Sequence, residues 1–439
     1  MDGLTMLRQF VAQLQEFWEL YGTLPYHHQQ SWSLHGLDHT PSEDDLSIIA
    51  SRSKYRHFKM IEANQSPPIK KPRREKNRET ISSIESSTEA MEPHIWKELP
   101  EDLFEAVIAR LPVTTVFRFR LVCRKWNSLL TSGSFRLAHR AHPWFYSVTH
   151  ENENSGLMYD PSLKKWHHHS SIPSLPSKTI ILPVASTGGL ICFLDVGHRN
   201  FYVCNPLTQS FKELPSRSVR VWSRVAVGMT LNGTSYKILW LACNGDHEIY
   251  DSVVNRWTRP GNIPSTVKLP LSLNFRSQPI TIESKLYFMR SNPDGLVDYD
   301  MLSNTWRQFV IPLPPHLTDH TLAESDGRLM LVGLLTKNAA TCVGVWELQR
   351  MTLLWKEVDR MPNIWCLEFY GKHVRMTCLG NRGLIMLSLR SSQMSRLVTY
   401  DVSSREWHKV PGGRVREHGR TRQWITWGTA FHPCPAAVA

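Results

Sequence analysis

Three adjacent histidines, His167, His168 and His169, are the most conspicuous candidates for metal chemistry in this sequence. Imidazole nitrogens bind zinc or copper when several of them converge on one point in space. Adjacent side chains point in different directions, and we expect this triplet to lie in a surface loop after an aromatic residue. The sequence therefore predicts neither a metal nor another cofactor here.

The cysteines offer no clearer metal or redox site. All eight stand singly along the chain: Cys123, Cys192, Cys204, Cys243, Cys342, Cys366, Cys378 and Cys434. None forms a C-x-x-C pair, and none has zinc-ligand spacing with a histidine. Such residues are typical of small buried side chains in a reducing compartment, so we expect the nucleus, the cytoplasm or both.

Carboxylates recur with a regular period, which indicates a structural role. Asp and Asn side chains at the start of a turn accept hydrogen bonds from their own backbone two residues on. The sequence contains no G-x-S-x-G, H-E-x-x-H or Walker-type motif. These features predict a non-catalytic protein, and a propeller enzyme is the least favoured hypothesis.

The periodic carboxylates belong to six repeated segments within residues 140–435. Each pairs an acidic residue or Asn with an aromatic residue six positions later, or eight in the fifth segment: Asp160/Trp166, Asn205/Phe211, Asp251/Trp257, Asp300/Trp306, Glu347/Trp355 and Asp401/Trp407. The aromatic recurs after 45, 46, 49, 49 and 52 residues, with short apolar strands between. This period indicates a β-propeller, and the repeats resemble the kelch class. We predict six blades, with residues 422–433 completing the first blade, which begins near residues 143–148.

Residues 92–137 form a separate helical module. Pro100 suits the first helical position, and Leu103, Val107, Ile108 and Leu111 form an apolar stripe that Pro112 ends. A second helix is predicted from Thr114 or Thr115 to Gly133, with a stripe formed by Val116, Phe119, Val122, Cys123, Trp126, Leu129 and Leu130. Two or three helices in so short a segment cannot build a large core, so a partner or the neighbouring domain must stabilise them.

This module closely resembles the F-box in nearly every position that defines the family, from Leu99-Pro100 to Trp126. The resemblance implies binding to the Skp-type adaptor of a cullin–RING ubiquitin ligase. The residues expected to contact the adaptor are Leu99, Pro100, Leu103, Ile108, Leu111, Pro112, Val116, Val122 and Trp126. For each of these residues the alternative role is packing inside the module. For Trp126 we expect packing to be the main role. Packing is also the favoured role for Val107, Phe119 and Cys123.

The N-terminal region divides into two parts. Residues 1–25 contain one amphipathic helix, which docks either on the propeller of the same chain or on a partner. Residues 26–91 are too polar to bury a core and are predicted to be a disordered linker. The linker holds six basic residues between Lys70 and Arg78, which suit either nuclear import or a solvated charge run.

The charge favours a soluble basic surface, with a phosphate-binding face or an acidic partner as the alternative, and the hydropathy argues against a membrane. The chain has a formal net charge of +12, of which residues 141–439 contribute +10 from 32 basic and 22 acidic side chains. The excess is spread thinly rather than gathered in a stripe, so a nucleic-acid partner is not expected. No uninterrupted apolar run reaches the length of a membrane span, and the N-terminus is not a secretory signal.

The predicted fold is therefore multidomain α plus all-β, with an F-box module followed by a kelch-type propeller. This arrangement is similar to plant F-box/kelch-repeat proteins, in particular the leaf-curling-responsiveness type. The resemblance implies a substrate-recognition subunit of an SCF-type (Skp–cullin–F-box) ligase, which promotes ubiquitination and degradation of an unknown protein. The alternative is a non-degradative interaction scaffold that binds the adaptor, in the nucleus or elsewhere.

Overall fold

The computed structural model describes residues 100–132, 135, 143–148, 156–169, 181–218, 225–269, 278–337, 339–381, 383–411, 415–417, 420–422 and 427–439. The predicted N-terminal helix, the linker with its basic run, and Leu99 lie outside these residues. Among the described residues, no helix has the length and apolar character needed to cross a bilayer.

Three short helices open the described chain: α1 (Glu101–Ile108), α2 (Val113–Phe119) and α3 (Arg124–Thr131). Pro112 caps α2, and its carbonyl accepts hydrogen bonds from the N–H groups of Thr115 and Val116 at 2.9 and 3.0 Å. The predicted start at Thr114 or Thr115 is therefore wrong, because the proline carbonyl already accepts the first helical bonds. Pro100 likewise caps α1 and does not occupy its first turn.

The single second helix predicted from residue 114 to Gly133 is also wrong, because the chain breaks between α2 and α3. Cys123 is extended, with φ −159° and ψ 166°, and its carbonyl accepts the first bond of α3 from the N–H of Asn127. Leu121 and Val122 in this break are 64% and 50% exposed. The apolar period continues across the break because both helices face one core, so periodicity alone could not reveal it.

Six four-stranded antiparallel sheets form the blades of the propeller, which confirms the predicted architecture. The first blade contains β1 (Trp144–Val148), β2 (Gly156–Asp160) and β3 (Lys165–His169). The second is β4 (Ile181–Thr187), β5 (Leu190–Asp195), β6 (Phe201–Cys204) and β7 (Phe211–Glu213). The third is β8 (Val225–Asn232), β9 (Ser235–Ala242), β10 (His247–Asp251) and β11 (Arg256–Thr258).

The fourth blade is β12 (Ile280–Ile282), β13 (Lys285–Arg290), β14 (Gly295–Asp300) and β15 (Thr305–Val310). The fifth is β16 (Leu317–Ser325), β17 (Arg328–Lys337), β18 (Ala340–Gln349) and β19 (Leu354–Arg360). The helix α4 (Asn363–Cys366) and a 3₁₀ turn (Leu367–Phe369) lead to the sixth, β20 (Arg375–Asn381), β21 (Leu384–Arg390), β22 (Ser395–Asp401) and β23 (Glu406–Lys409). A small hairpin, β24 (Val415–Glu417) and β25 (Arg420–Arg422), precedes β26 (Trp427–Phe431).

The ring closes through β26, which pairs with β1 as the innermost strand of the first blade. This confirms the prediction that a C-terminal run completes the first blade, and the closure leaves no open edge at that joint. The innermost strands β26, β4, β8, β12, β16 and β20 contact one another in turn around a central channel.

The two ends of the propeller differ. All six inner strands finish at the same end of the propeller. The evidence is one cavity that is lined by residues at or just after the C-terminal ends of these strands: Gly188, Leu231, Glu283, Asp326, Gly380 and His432. We call this the near end, since β1, which follows the F-box helices, starts there beside the C-terminal end of β26. The fourth strand of each blade finishes at the opposite, far end, where α4 follows β19.

The repeated carboxylates serve as turn residues, as predicted. Asp160, Asn205, Asp251, Asp300 and Asp401 each accept a hydrogen bond from the N–H two residues on, at 2.9–3.0 Å. The backbone then reaches positive φ two residues before the repeat aromatic, at Lys164, Gln209, Asn255, Asn304, Leu353 and Arg405. Glu347 differs, since its carboxylate pairs with Arg328 at 3.1 Å, and the fifth turn is two residues longer. Turn chemistry therefore explains the period of the acidic residues.

Candidate functional site

The helical module has a small aromatic core. The ring of Trp126 in α3 lies 5.1 Å from that of Phe104 in α1 and 4.8 Å from that of Phe119 in α2, both edge to face. Phe119 is fully buried, which confirms its predicted packing role. Cys123 is exposed, so its predicted packing role is wrong; its extended backbone lies in the break between α2 and α3. One half-buried tryptophan thus holds three helices together.

The residues expected to contact an adaptor fall into two groups. Ile108, Leu111 and Val116 are 0%, 5% and 0% exposed, so they support the surface from inside. The exposed members are Pro100, Leu103, Pro112 and Val122, with Leu103 and Val122 about half exposed at 51% and 50%.

An exposed ion pair joins the first and third helices of the module. The ammonium of Lys125 at the start of α3 lies 3.5 Å from the carboxylate of Glu101 at the start of α1. Leu121, 64% exposed, lies beside Val122 and was not predicted, because it falls off both helical stripes. Leu103, Leu121 and Val122 are the large apolar side chains that the described part of the module leaves exposed, and we call this set the apolar face.

The module is fixed to the propeller through α2. Val113 is 5% exposed and, with Phe117, packs into a cluster that includes Trp144 of β1 and Phe431 of β26. This confirms that the neighbouring domain helps to stabilise the short helices. The F-box helices and the blades therefore belong to one compact unit, residues 100–439.

The histidine triplet lies in β3 and not in the predicted surface loop. In the pairing of β3 with β2, Trp166 lies opposite Tyr159 and the two rings pack together. The next residue, His167, belongs to the same strand pairing. The ring of His167 stacks on Trp144 at 5.1 Å, and partial burial lowers its pKa. In the part of the chain that the structure describes, no three His, Cys, Asp or Glu side chains are grouped to hold a metal.

The central channel contains a cavity of about 540 Å³. At its far end the amide of Gln278 donates to the carbonyls of Pro183 and Gly428, both at 3.2 Å, and accepts a bond from Thr429. These contacts join the first, second and fourth blades across the channel. Sequence reasoning missed Gln278, because it lies outside every repeated segment, immediately before a short strand.

Comparison with known proteins identifies both parts of the chain. The F-box domain family model matches residues 96–137, and a model described as "F-box protein At3g26010-like, beta-propeller" matches residues 158–410. The chain is 56% identical to F-box only protein 6 of Arabidopsis thaliana, over all of both chains. It is 27% identical to the Arabidopsis protein UNUSUAL FLORAL ORGANS, over 74% of this chain and 81% of that protein.

Among solved structures, TolB from Acinetobacter baumannii aligns with a TM-score of 0.40 and 13% identity, covering 66% of each chain. The two family models agree with the helices and blades described above. The chain belongs to the plant F-box proteins that carry a β-propeller after the F-box.

Proposed function

We propose that this protein is the substrate-recognition subunit of an SCF-type ubiquitin ligase. The F-box module binds a Skp-type adaptor, and the propeller holds the protein to be ubiquitinated and degraded. The observation that carries this proposal is the apolar face, which remains half exposed within a module that matches the F-box family. Exposed large apolar side chains that gather beside charged residues are typical of an interaction site, and the match to the F-box family supports that interpretation here.

The composition of the apolar face suits the groove that the family resemblance implies. Covering a half-exposed leucine or valine contributes roughly 1 kcal/mol. Arg124 and Lys125 are exposed beside it, so an acidic border on the adaptor would be electrostatically complementary. The buried residues Ile108, Leu111 and Val116 then position the helices that present the contacting side chains.

The chain itself performs no bond-making step in this proposal. The other subunits transfer ubiquitin, and this chain supplies proximity by holding the target in a fixed position relative to the adaptor. The packing of α2 on the first blade supports that role, because a rigid joint preserves the geometry between the two binding sites.

Quantitative ubiquitin-remnant proteomics tests the role in plant cells that lack the endogenous protein. Cells are complemented with the wild type, with Leu103→Asp plus Val122→Asp, or with Val253→Asp plus Val254→Asp at an exposed turn of the third blade. We expect a set of proteins whose ubiquitination depends on the wild type and on the turn control but not on the apolar-face variant.

The scaffold alternative predicts a different result. Proximity labelling would then find the same neighbours of the wild type and the apolar-face variant, with no difference in their ubiquitination or abundance. That outcome would contradict the receptor proposal and favour a non-degradative scaffold.

Three finer assignments belong with this proposal. The repeat period of about 50 residues supports kelch-class blades. The resemblance of the whole chain, including its N-terminal helix, supports the leaf-curling-responsiveness type of F-box protein. The basic run between Lys70 and Arg78 supports a nuclear pool beside a cytoplasmic one. Neutralising its six basic residues in a fluorescent fusion should deplete the nuclear signal, and an unchanged distribution would end the idea.

A further inference from the structure

A short helix at the far end of the propeller exposes three large apolar side chains. In α4 and the 3₁₀ turn after it, Trp365, Cys366 and Phe369 pack against the core between the fifth and sixth blades. On the outer side, Ile364, Leu367 and Tyr370 are 72%, 67% and 60% exposed. They follow one another at intervals of three residues, which places them along one face. We call these three residues the far-end patch.

The patch is preformed. The carbonyl of Pro362 accepts bonds from the N–H groups of Trp365 and Cys366 at 2.9 and 3.2 Å. At the other end, the N–H of Gly371 donates to the carbonyl of Ala339 in the fifth blade at 2.9 Å. A helix this short has little stability of its own, so these anchors hold it in place. A ligand would therefore pay little ordering entropy to dock there.

The charge around the patch is positive. The carboxylate of Glu368 accepts hydrogen bonds from Arg396 at 2.7 Å and Lys409 at 3.1 Å. Lys372 binds the carbonyl of Glu368 at 2.9 Å, and the ammonium of Lys409 lies 5.0 Å from the ring centre of Trp365. Two cations therefore bind the carboxylate of Glu368 and a third binds its backbone carbonyl, and the side chains of Arg396 and Lys409 remain 43% and 50% exposed. An apolar surface with this rim is complementary to apolar residues flanked by carboxylates.

The topology places the patch away from the apolar face. α4 connects β19, the fourth strand of its blade, to β20, the inner strand of the next, and such connections lie at the far end. The F-box helices precede β1, which starts at the near end, and Val113 of α2 belongs to the core cluster of the first and second blades. A ligand on the patch and an adaptor on the apolar face would therefore not compete.

We propose that the far-end patch is a docking site for the target protein and that it recognises a peptide segment in which apolar residues alternate with Asp or Glu. This inference rests on the proposed function, since it names the class of substrate that the receptor holds. The rim charge favours an acidic peptide over a basic or neutral one, and the apolar residues provide the contact area.

Selection from a random phage-displayed library of peptides about twelve residues long tests the proposal on the purified full-length chain. We expect enriched sequences that combine Asp or Glu with Leu, Ile, Phe or Trp. Their binding is then measured by fluorescence anisotropy for the wild type and three variants. The first, Ile364→Ser with Leu367→Ser and Tyr370→Ser, should weaken binding by about tenfold or more.

The second variant is a matched control at near-end turns, Val253→Ser with Val254→Ser and Leu302→Ser, whose positions are 76%, 54% and 64% exposed. It should bind the peptides within about twofold of the wild type, because it changes equally exposed apolar residues away from the patch. The third variant, Glu368→Gln, removes the carboxylate that neutralises Arg396 and Lys409, so binding should tighten by about threefold.

Several results would overturn the proposal. One is that the library yields no enriched acidic sequences. Another is that the patch variant binds the peptides as well as the wild type, or no worse than the turn control. Self-association of the wild type in light scattering that the patch variant abolishes would assign the patch to a second copy instead. Adaptor binding is measured in parallel and should be unchanged in every variant. A chain that binds acidic peptides but no adaptor would contradict the proposed function while leaving the patch standing.

Discussion

The indole N–H of Trp166 in the first blade donates a hydrogen bond to the carbonyl of Pro411, at the end of the sixth blade, at 2.7 Å. The same contact recurs between the second and third blades, where Trp257 donates to the carbonyl of Pro215 at 2.8 Å. The aromatic of a repeat thus reaches the end of the preceding blade. The Trp166 bond adds a second closure of the ring, on the outer edge, to the pairing of β26 with β1.

Trp166→Phe should lower the free energy of unfolding by about 1 kcal/mol, since the ring is largely kept and one hydrogen bond to a carbonyl is lost. Denaturant unfolding followed by tryptophan fluorescence and circular dichroism measures the change. Trp355→Phe in the fifth blade is the matched control, because its indole N–H meets no acceptor among the residues that the structure describes. Equal destabilisation by both substitutions would contradict the assigned role of the bond.

The contacts of the Asn205 side chain explain why this repeat has asparagine instead of aspartate. Its side-chain oxygen accepts the turn bond from the N–H of Leu207, while its amide donates to the carbonyls of Cys434 and Ala437 at 2.9 and 2.8 Å. The residue is fully buried, so it holds the C-terminal segment on the second blade. Only a side chain with both a donor and an acceptor satisfies these contacts.

Asn205→Asp should therefore destabilise the protein by about 3 kcal/mol, because a buried carboxylate would face two carbonyl oxygens. The matched control is Asp251→Asn, which keeps the turn acceptor and loses only a partly exposed ion pair with Lys237 at 3.7 Å. It should cost less than about 1 kcal/mol. Thermal unfolding of the two variants at neutral pH gives the comparison, and similar costs would refute the donor role of Asn205.

The hydrogen bonds of the Glu368 carboxylate should stabilise the protein at neutral pH, and this stabilisation should be lost at acidic pH. Partial burial alone would raise its pKa, but the hydrogen bonds from Arg396 and Lys409 outweigh burial and leave the pKa below its usual 4.5. Because the folded-state pKa is lower than the unfolded one, the stabilisation is complete above the unfolded value and is lost as pH falls through the folded value. The stability difference between wild type and Glu368→Gln, followed by denaturant unfolding, should shrink as pH falls below 4.5. A difference that stays constant or grows there would contradict the assigned contacts.

Repeat periodicity predicted the blades because the turn and the aromatic recur in each one. Asp160 and Trp166 show the pattern in the first blade, and the closure by β26 followed from an apolar run left over at the C-terminus. The break at Cys123 could not be predicted, because helices on either side share one apolar period. The tail contacts of Asn205 and the channel bonds of Gln278 join residues distant in sequence, which a local pattern does not record.

The candidate site, like the fold, could be predicted from the sequence only in part. The sequence indicated which residues of the F-box module are apolar, but not which of them remain exposed. Ile108 and Leu103 lie on one predicted stripe, yet Ile108 is buried and Leu103 is half exposed. The far-end patch was missed because α4 lies between repeats and is too short for its period to stand out.

Calorimetric titration of the purified full-length chain with a Skp-type adaptor tests the central claim most directly. We predict a complex for the wild type and for Val253→Asp with Val254→Asp. Leu103→Asp with Val122→Asp should lose about a hundredfold in affinity, because two carboxylates would enter an apolar groove with an acidic border. Absence of binding by the wild type, or equal affinity of the apolar-face variant, would contradict the account.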